Sequence, residues 1–154
     1  KELDINLNKI NVLIGSNGSG KSNFLSFFEF LNRLYEQNLN EFVALNGGMD
    51  KILHKGSKVT ENINANIYFD QDTYSFTVKK GDDNFVFLNE QLEFNGRKVE
   101  INALKSEAQI KYHTDLERGD FIKKYLKDIK KYHFHDTGKN YHFAKESNIQ
   151  KDVY

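Results

Sequence analysis

The chain of 154 residues has no cysteine and no proline. Without cysteine there is no disulfide framework and no thiolate metal site, a composition compatible with the cytoplasm, where we expect the protein to act. Without proline, and with no low-complexity stretch or internal repeat, nothing marks a domain boundary inside the chain. Charge of one sign is also missing: 22 basic side chains balance 22 acidic ones. No global field therefore draws the chain to nucleic acid or to an anionic membrane, although a local basic patch is compatible with that balance. No apolar run approaches a membrane span and no signal-peptide pattern opens the sequence, so no membrane partner is expected. The length suits one domain with a sizeable core. Both ends read as cut, and the expectation is a single partial domain over residues 1–154.

What is present is concentrated near the start. Gly15-Ser16-Asn17-Gly18-Ser19-Gly20-Lys21-Ser22 matches G-x-x-x-x-G-K-[ST], the phosphate-binding P-loop. Asn11-Val12-Leu13-Ile14 reads as a buried strand feeding the loop, and a helix is expected from Ser22 onward. Each residue type has a task. The glycines let the backbone curl so that successive N–H groups point at phosphate oxygens, and the helix N-terminus adds partial positive charge. Lys21 is expected to bridge the β- and γ-phosphates as the catalytic cation, with the Ser22 hydroxyl on Mg²⁺. With ordinary glycine usage the pattern arises by chance in roughly 1% of such chains. The flanking strand and helix lower that figure, so nucleotide binding is preferred to a glycine-rich turn before an ordinary helix.

Hydrophobic periodicity organises the rest. Leu3, Ile5 and Leu7 alternate with polar residues, predicting a half-buried strand over residues 2–7, and residues 10–14 predict a second. The P-loop helix is predicted over 22–36, with Phe24, Phe27, Phe28, Leu31, Leu34 and Tyr35 on one face, widened by Leu25 and Phe30. A short helix is expected over 39–45, ended by Gly47-Gly48. From about Val59 the period changes to two. Ile63, Ala65, Ile67 and Phe69 share one face, opposite Asn62, Asn64, Asn66 and Tyr68. After a turn at Asp70-Gln71-Asp72, Tyr74, Phe76 and Val78 alternate. Lys80-Gly81-Asp82-Asp83 turns into 84–94, and Asn95-Gly96 signals a hairpin into 97–101. This is an antiparallel meander with one solvated face. A helix is predicted over 115–131, with Ile122, Tyr125, Leu126 and Ile129 buried, and a strand over 132–135.

A kinase or small GTPase would continue with parallel βα units after the P-loop helix. A GTPase also needs Asn-Lys-x-Asp, and Asn8-Lys9-Ile10-Asn11 lacks the Asp and precedes the loop. The order instead resembles the N-terminal lobe of ABC-type ATPases, in particular the SMC/RecF-like branch with its OLD-like bacterial relatives. The residues that carry the resemblance run from Lys9 through the P-loop to Asn23-Phe24-Leu25, with Asn17-Gly18 and Asn23 typical of the branch. Gly47-Gly48 with Ile52-Leu53-His54-Lys55-Gly56, and Tyr132-His133-Phe134-His135-Asp136-Thr137, are similar to later segments of these proteins. The resemblance implies an α/β P-loop NTPase lobe (α+β by strict layout), with the meander packed beside the P-loop strand and helix. It implies Mg-ATP held by Gly15, Ser16, Asn17, Gly18, Ser19, Gly20, Lys21, Ser22 and Asn23. It further implies a missing C-terminal lobe carrying the Walker B and signature loops, a head-to-head homodimer, and DNA or a DNA-linked protein as the object of the parent ATPase. The fragment alone would then hydrolyse ATP weakly or not at all.

Two segments imitate the missing parts. Leu45-Asn46-Gly47-Gly48-Met49 looks like a signature loop but comes one helix after the P-loop, so we read it as a helix stop with a left-handed glycine. Ile67-Tyr68-Phe69-Asp70 looks like a Walker B ending, but its alternating asparagines mark a half-exposed antiparallel strand. Gln71, Gln109 and Gln150 are each candidates for a Mg-proximal glutamine, Gln150 best by order. His133 and His135 have a spacing used by zinc enzymes, with Asp136 or His142 as further ligands; hydrogen-bonded histidines are the plainer reading. Lys123, Lys124, Lys127, Lys130 and Lys131 could form a phosphate stripe, or simply the solvated face of a helix. Besides the ATP-binding lobe, the alternatives are an interaction module indifferent to Lys21→Ala and a His-dependent metal hydrolase. Exposed apolar surface, with pairing through it, is expected where the sheet should continue.

Overall fold

A computed structural model of the chain describes residues 3–53, 56, 58, 60–82, 84–102, 104–113 and 119–131. Three helices come first: α1 (Lys21–Glu36), α2 (Leu39–Leu45) and the single turn α3 (Met49–Ile52). Four strands follow, β1 (Asn62–Phe69), β2 (Asp72–Lys80), β3 (Phe85–Phe94) and β4 (Arg97–Asn102). A 3₁₀ turn (Ile110–Tyr112) and α4 (Gly119–Asp128) complete the described elements.

The strands form one antiparallel sheet in the order β1-β2-β3-β4, the meander that the period of two predicts. The turn chemistry sets its register. Asn95 (φ 48°) and Gly96 (φ 78°) lie between the paired Phe94 and Arg97. Two consecutive left-handed residues give a turn whose twist matches that of the strands, which is why Asn-Gly signals a hairpin. Asp70 and Gln71 likewise separate the paired Phe69 and Asp72, so Asp72 opens β2 rather than closing the turn. Along β1 exposed residues alternate with half-buried ones, as expected of an edge strand with Asn62, Asn64, Asn66 and Tyr68 facing solvent.

The other face of the sheet makes the core. Tyr74, Phe76, Val78, Phe85, Phe87 and Leu92 are buried there. The C-terminal half of α1 packs on them through the Phe30 ring, 6.1 Å from Phe76 and 5.9 Å from Phe85 between centroids. Phe30, Leu31, Leu34 and Tyr35 are buried, whereas Phe24, Phe27 and Phe28 are half-buried and Leu25 is exposed. The apolar face predicted for the whole helix is thus covered only over its second half. In α4, Ile122 and Leu126 are buried as predicted and Ile129 is partly buried just beyond its end. Tyr125 is not buried: it stands exposed between Phe121 (4.8 Å) and Phe69 (5.6 Å). The helix spans ten residues of the predicted 115–131; 115–118 lie outside the described residues.

The strands predicted over 2–7 and 10–14 do not form among the described residues. Residues 3–19 are exposed, with Ile10 at 84% and Ile14 at 91% of full exposure. A strand needs a neighbour to take its ladder hydrogen bonds, and the described sheet contains only β1–β4. The turn between the two predicted strands does form. The Asn8 amide donates to Asn11 Oδ1 (2.9 Å), and Asn11 Nδ2 donates back to the Asn8 carbonyl (2.7 Å).

One segment ties sheet and helices together. Glu90, fully buried on β3, accepts from the Tyr74 hydroxyl (2.8 Å) and from the backbone N–H groups of Gln109 (2.8 Å) and Ile110 (3.1 Å). Three donors compensate what would otherwise be a costly buried carboxylate. Next to it, the Glu107 carboxylate accepts from the amides of Leu39 and Asn40 and so closes the N-terminus of α2. Gln37, the left-handed residue that ends α1 (φ 60°), donates its side-chain amide to the Ala108 carbonyl.

Candidate functional site: the loop before the first helix

Three glycines shape the loop, for different reasons. Gly18 (φ 81°) and Gly20 (φ 97°) adopt left-handed backbone that a side chain would strain. Gly15 has no such backbone; there a Cβ would come within 2.8 Å of Ser19 Oγ. The loop turns through Ser19 N–H to the Ser16 carbonyl (3.2 Å), and Gly20 caps α1. No side chain caps this helix, and its first turn contains no acidic residue. The first intrahelical bond runs from the Phe24 amide to the Gly20 carbonyl (3.0 Å). The helix therefore offers its first-turn amides and its uncompensated positive end to an anion.

Lys21 folds back over the loop. Its ammonium donates to the Gly15 carbonyl (2.7 Å), the Ser16 carbonyl (2.8 Å) and Ser19 Oγ (3.3 Å). A loop of small residues, an uncapped helix start and a cation at the centre make a donor set suited to a polyphosphate. Residues 15–20 form this loop, and Lys21, Ser22 and Asn23 open α1. The apolar residues that lead into the loop are not buried around it.

The other candidates separate from this site. Gly47 is left-handed (φ 83°); its N–H bonds the Ala44 carbonyl (3.2 Å) and the Gly48 N–H bonds the Val43 carbonyl (2.9 Å). That pair of bonds is a helix stop, as read. Ile67, Tyr68 and Phe69 end the edge strand β1, antiparallel to β2. Gln71 is exposed in the first hairpin turn. Gln109 belongs to the segment bonded to Glu90, and its neighbour Ala108 meets Gln37. That is the far end of α1, about 24 Å from the P-loop at 1.5 Å per residue. Lys123 is tied to Asp120 (3.2 Å) and to the His113 carbonyl, and Lys131 to Glu29 (3.0 Å). Lys124, Lys127 and Lys130 are exposed. Gln150, His133, His135, Asp136 and His142 lie outside the described residues, as does the predicted strand 132–135. Among the described residues no three His, Asp or Glu side chains gather into a metal-binding group, and no helix is long and apolar enough to cross a membrane.

Sequence reasoning did not find the Glu90–Tyr74 pair or the Glu107 cap. Burial, and then the adjacent Glu90, push the Tyr74 hydroxyl well above its ordinary range. Burial raises the Glu107 carboxyl, with the amides of Asn40 and Leu39 opposing the shift. The one hint was a Glu at a position of β3 otherwise reserved for apolar residues.

The family model described as "AAA domain, putative AbiEii toxin, Type IV TA system" matches residues 10–148, most of the chain including the whole loop. The chain belongs to this family, and its class is therefore a P-loop ATPase-type domain of mixed α/β structure. Comparison with curated proteins and with solved structures found no match.

Proposed function

We propose that the chain binds Mg-ATP through Gly15–Ser22 and Asn23, as the nucleotide-binding lobe of an ATPase of the SMC/RecF-like branch. The observation that carries the reading is the seat of Lys21: its ammonium lies inside the loop, at the open N-terminus of α1. The loop amides and Lys21 would hold the phosphates and Ser22 the Mg²⁺. When bound, the nucleotide supplies a γ-phosphoryl group that can pass to water. Phosphoryl transfer depends on charge placed around that group and on an oriented water. Lys21 is this chain's share of that charge. Neither Asp70 nor Gly47-Gly48 can supply the rest, because one follows an edge strand and the others stop a helix. We therefore assign the carboxylates of hydrolysis and the signature loop to a second lobe, with weak turnover by this chain alone. The exposed apolar residues Ile10, Val12 and Ile14 beside the loop support such a partner surface. A head-to-head homodimer and action on DNA belong to the same proposal and rest on family resemblance.

Calorimetric titration with Mg-ATP and Mg-GTP, on the wild type and on Lys21→Ala, tests the reading. Loss of the cation should weaken Mg-ATP binding at least about tenfold, with an unchanged unfolding midpoint. Equal affinity in the two proteins would refute the site and favour an interaction module that uses the fold without the nucleotide.

A further inference from the structure

The nucleotide reading accounts for Lys21 and for the left-handed glycines, but not for Gly15 or for the Ser19 side chain. Gly15 is outside the left-handed region, so its backbone would accept another residue. The obstacle is steric. A Cβ at Gly15 would stand 2.8 Å from Ser19 Oγ and 3.3 Å from Ser19 Cβ, and only at an ordinary 3.9 Å from Lys21 Nζ. The Ser19 side chain thus fills the space that glycine leaves open. From there its hydroxyl reaches the Lys21 ammonium at 3.3 Å. An ammonium has three N–H donors, and the carbonyls of Gly15 and Ser16 take the other two at 2.7 and 2.8 Å. The three contacts seat the ammonium inside the loop, and the longest, to Ser19 Oγ, is the one that a phosphate oxygen can share.

We infer that Ser19 is a positioning residue of this site. Its side chain, seated against Gly15, closes the set of acceptors that holds the Lys21 ammonium within the loop before any phosphate arrives. The inference rests on the nucleotide reading for its consequence in binding, and on geometry alone for the state of Lys21. It also explains the first glycine of the motif in this chain: Gly15 leaves room for Ser19. An affinity gained through a pre-placed cation is a gain of preorganisation. Displacing Ser19 should therefore weaken phosphate binding even though every other loop residue is intact.

The test is a double-mutant cycle on the full chain, read in two ways. In Mg-ATP titrations, Gly15→Ala should lose at least about tenfold in affinity, because the new Cβ expels the Ser19 side chain from its seat. Ser19→Gly should lose about threefold, the size of one modest hydrogen bond. The double variant should match Ser19→Gly, because the obstacle to a Cβ has gone with the Ser19 side chain. Losses that multiply would overturn the inference while leaving nucleotide binding intact. The second readout needs no nucleotide: the acylation rate of each lysine in the ligand-free protein, by mass spectrometry. Lys21 should react at least about fivefold more slowly than the exposed Lys124 and Lys127, and Ser19→Gly should speed it by about threefold. A Lys21 that reacts like Lys124 in both proteins would overturn the lock. A wild type that binds no Mg-ATP would refute the nucleotide reading instead, and the acylation rates would still decide on Ser19.

Discussion

The two halves of α1 lie in contrasting surroundings. From Phe30 onward the helix is packed on the sheet, with Leu34 at 0% exposure. Before it, Phe24, Phe27 and Phe28 are half-covered, and the chain that leads in is exposed from residue 3 to residue 19. The packed half meets β2 and β3 through Phe30 and lies against α2 and α4. The open half carries the loop chemistry and has little to hold it beyond the helix it begins. The packed core and the proposed nucleotide site thus sit at opposite ends of one 16-residue rod. Stability should be set at one end and nucleotide affinity at the other, with little cross-talk, because distant sites add independently.

Substitutions can break that contrast, and the largest effect is expected in the sheet. Phe87→Ala empties a fully buried site beside Phe76 and should cost about 3–5 kcal/mol in urea unfolding. Ile14→Ala, at an exposed position, should change the same measurement by less than about 0.5 kcal/mol. Comparable losses at both positions would mean that the entry segment is packed in solution.

Tyr74→Phe should come next. It removes the Tyr74 hydroxyl as a donor to Glu90, and leaving a buried acceptor short of a donor costs about 1–3 kcal/mol. The same pair predicts a pH dependence. The Tyr74 hydroxyl is raised in the folded state by burial and by Glu90, so folding favours its protonated form. Its contribution is complete below the unfolded tyrosine pKa of about 10 and is lost as pH climbs through the raised folded value. Unfolding curves from pH 9 upward should show wild-type stability falling more steeply than that of Tyr74→Phe. Parallel curves would contradict the linkage.

The smallest effect belongs to Glu107. Its carboxyl is raised by burial, so folding favours the protonated form here too. Stability from this group is complete below the unfolded carboxyl pKa and declines as pH rises through the folded one. Glu107→Gln keeps an oxygen for the α2 amides and should flatten that decline from about pH 4 upward. A steeper slope in the variant would show that the α2 amides, not burial, govern the group.

The same contrast explains what could be read from sequence. Loop and sheet were legible because both are written in local rules. The P-loop is a contiguous string, and Asn95-Gly96 with the alternation from Asn62 to Phe94 fixes a meander without help from distant residues. The short helix over 39–45 and its glycine stop were legible for the same reason. The strands predicted over 10–14 and 2–7 failed because an apolar run states what it could pair with, not whether a partner strand is there. The buried face of α1 was over-extended on the same ground: periodicity shows which side is apolar, and the sheet decides how far that side is covered. Tyr125 was misplaced because an aromatic at a helical interval can lie on ring edges at the boundary of a core. Glu90 and Glu107 were invisible because their partners are 16 to 68 residues away.

The central claim is that the exposed loop, and not the packed sheet, receives the nucleotide. Hydrogen exchange with and without saturating Mg-ATP tests it most directly. The account predicts that added protection begins at Gly15 and runs through Asn23, while the amides of β2 and β3 exchange as before. Protection centred on the sheet, with Gly15 to Asn23 unchanged, would contradict it.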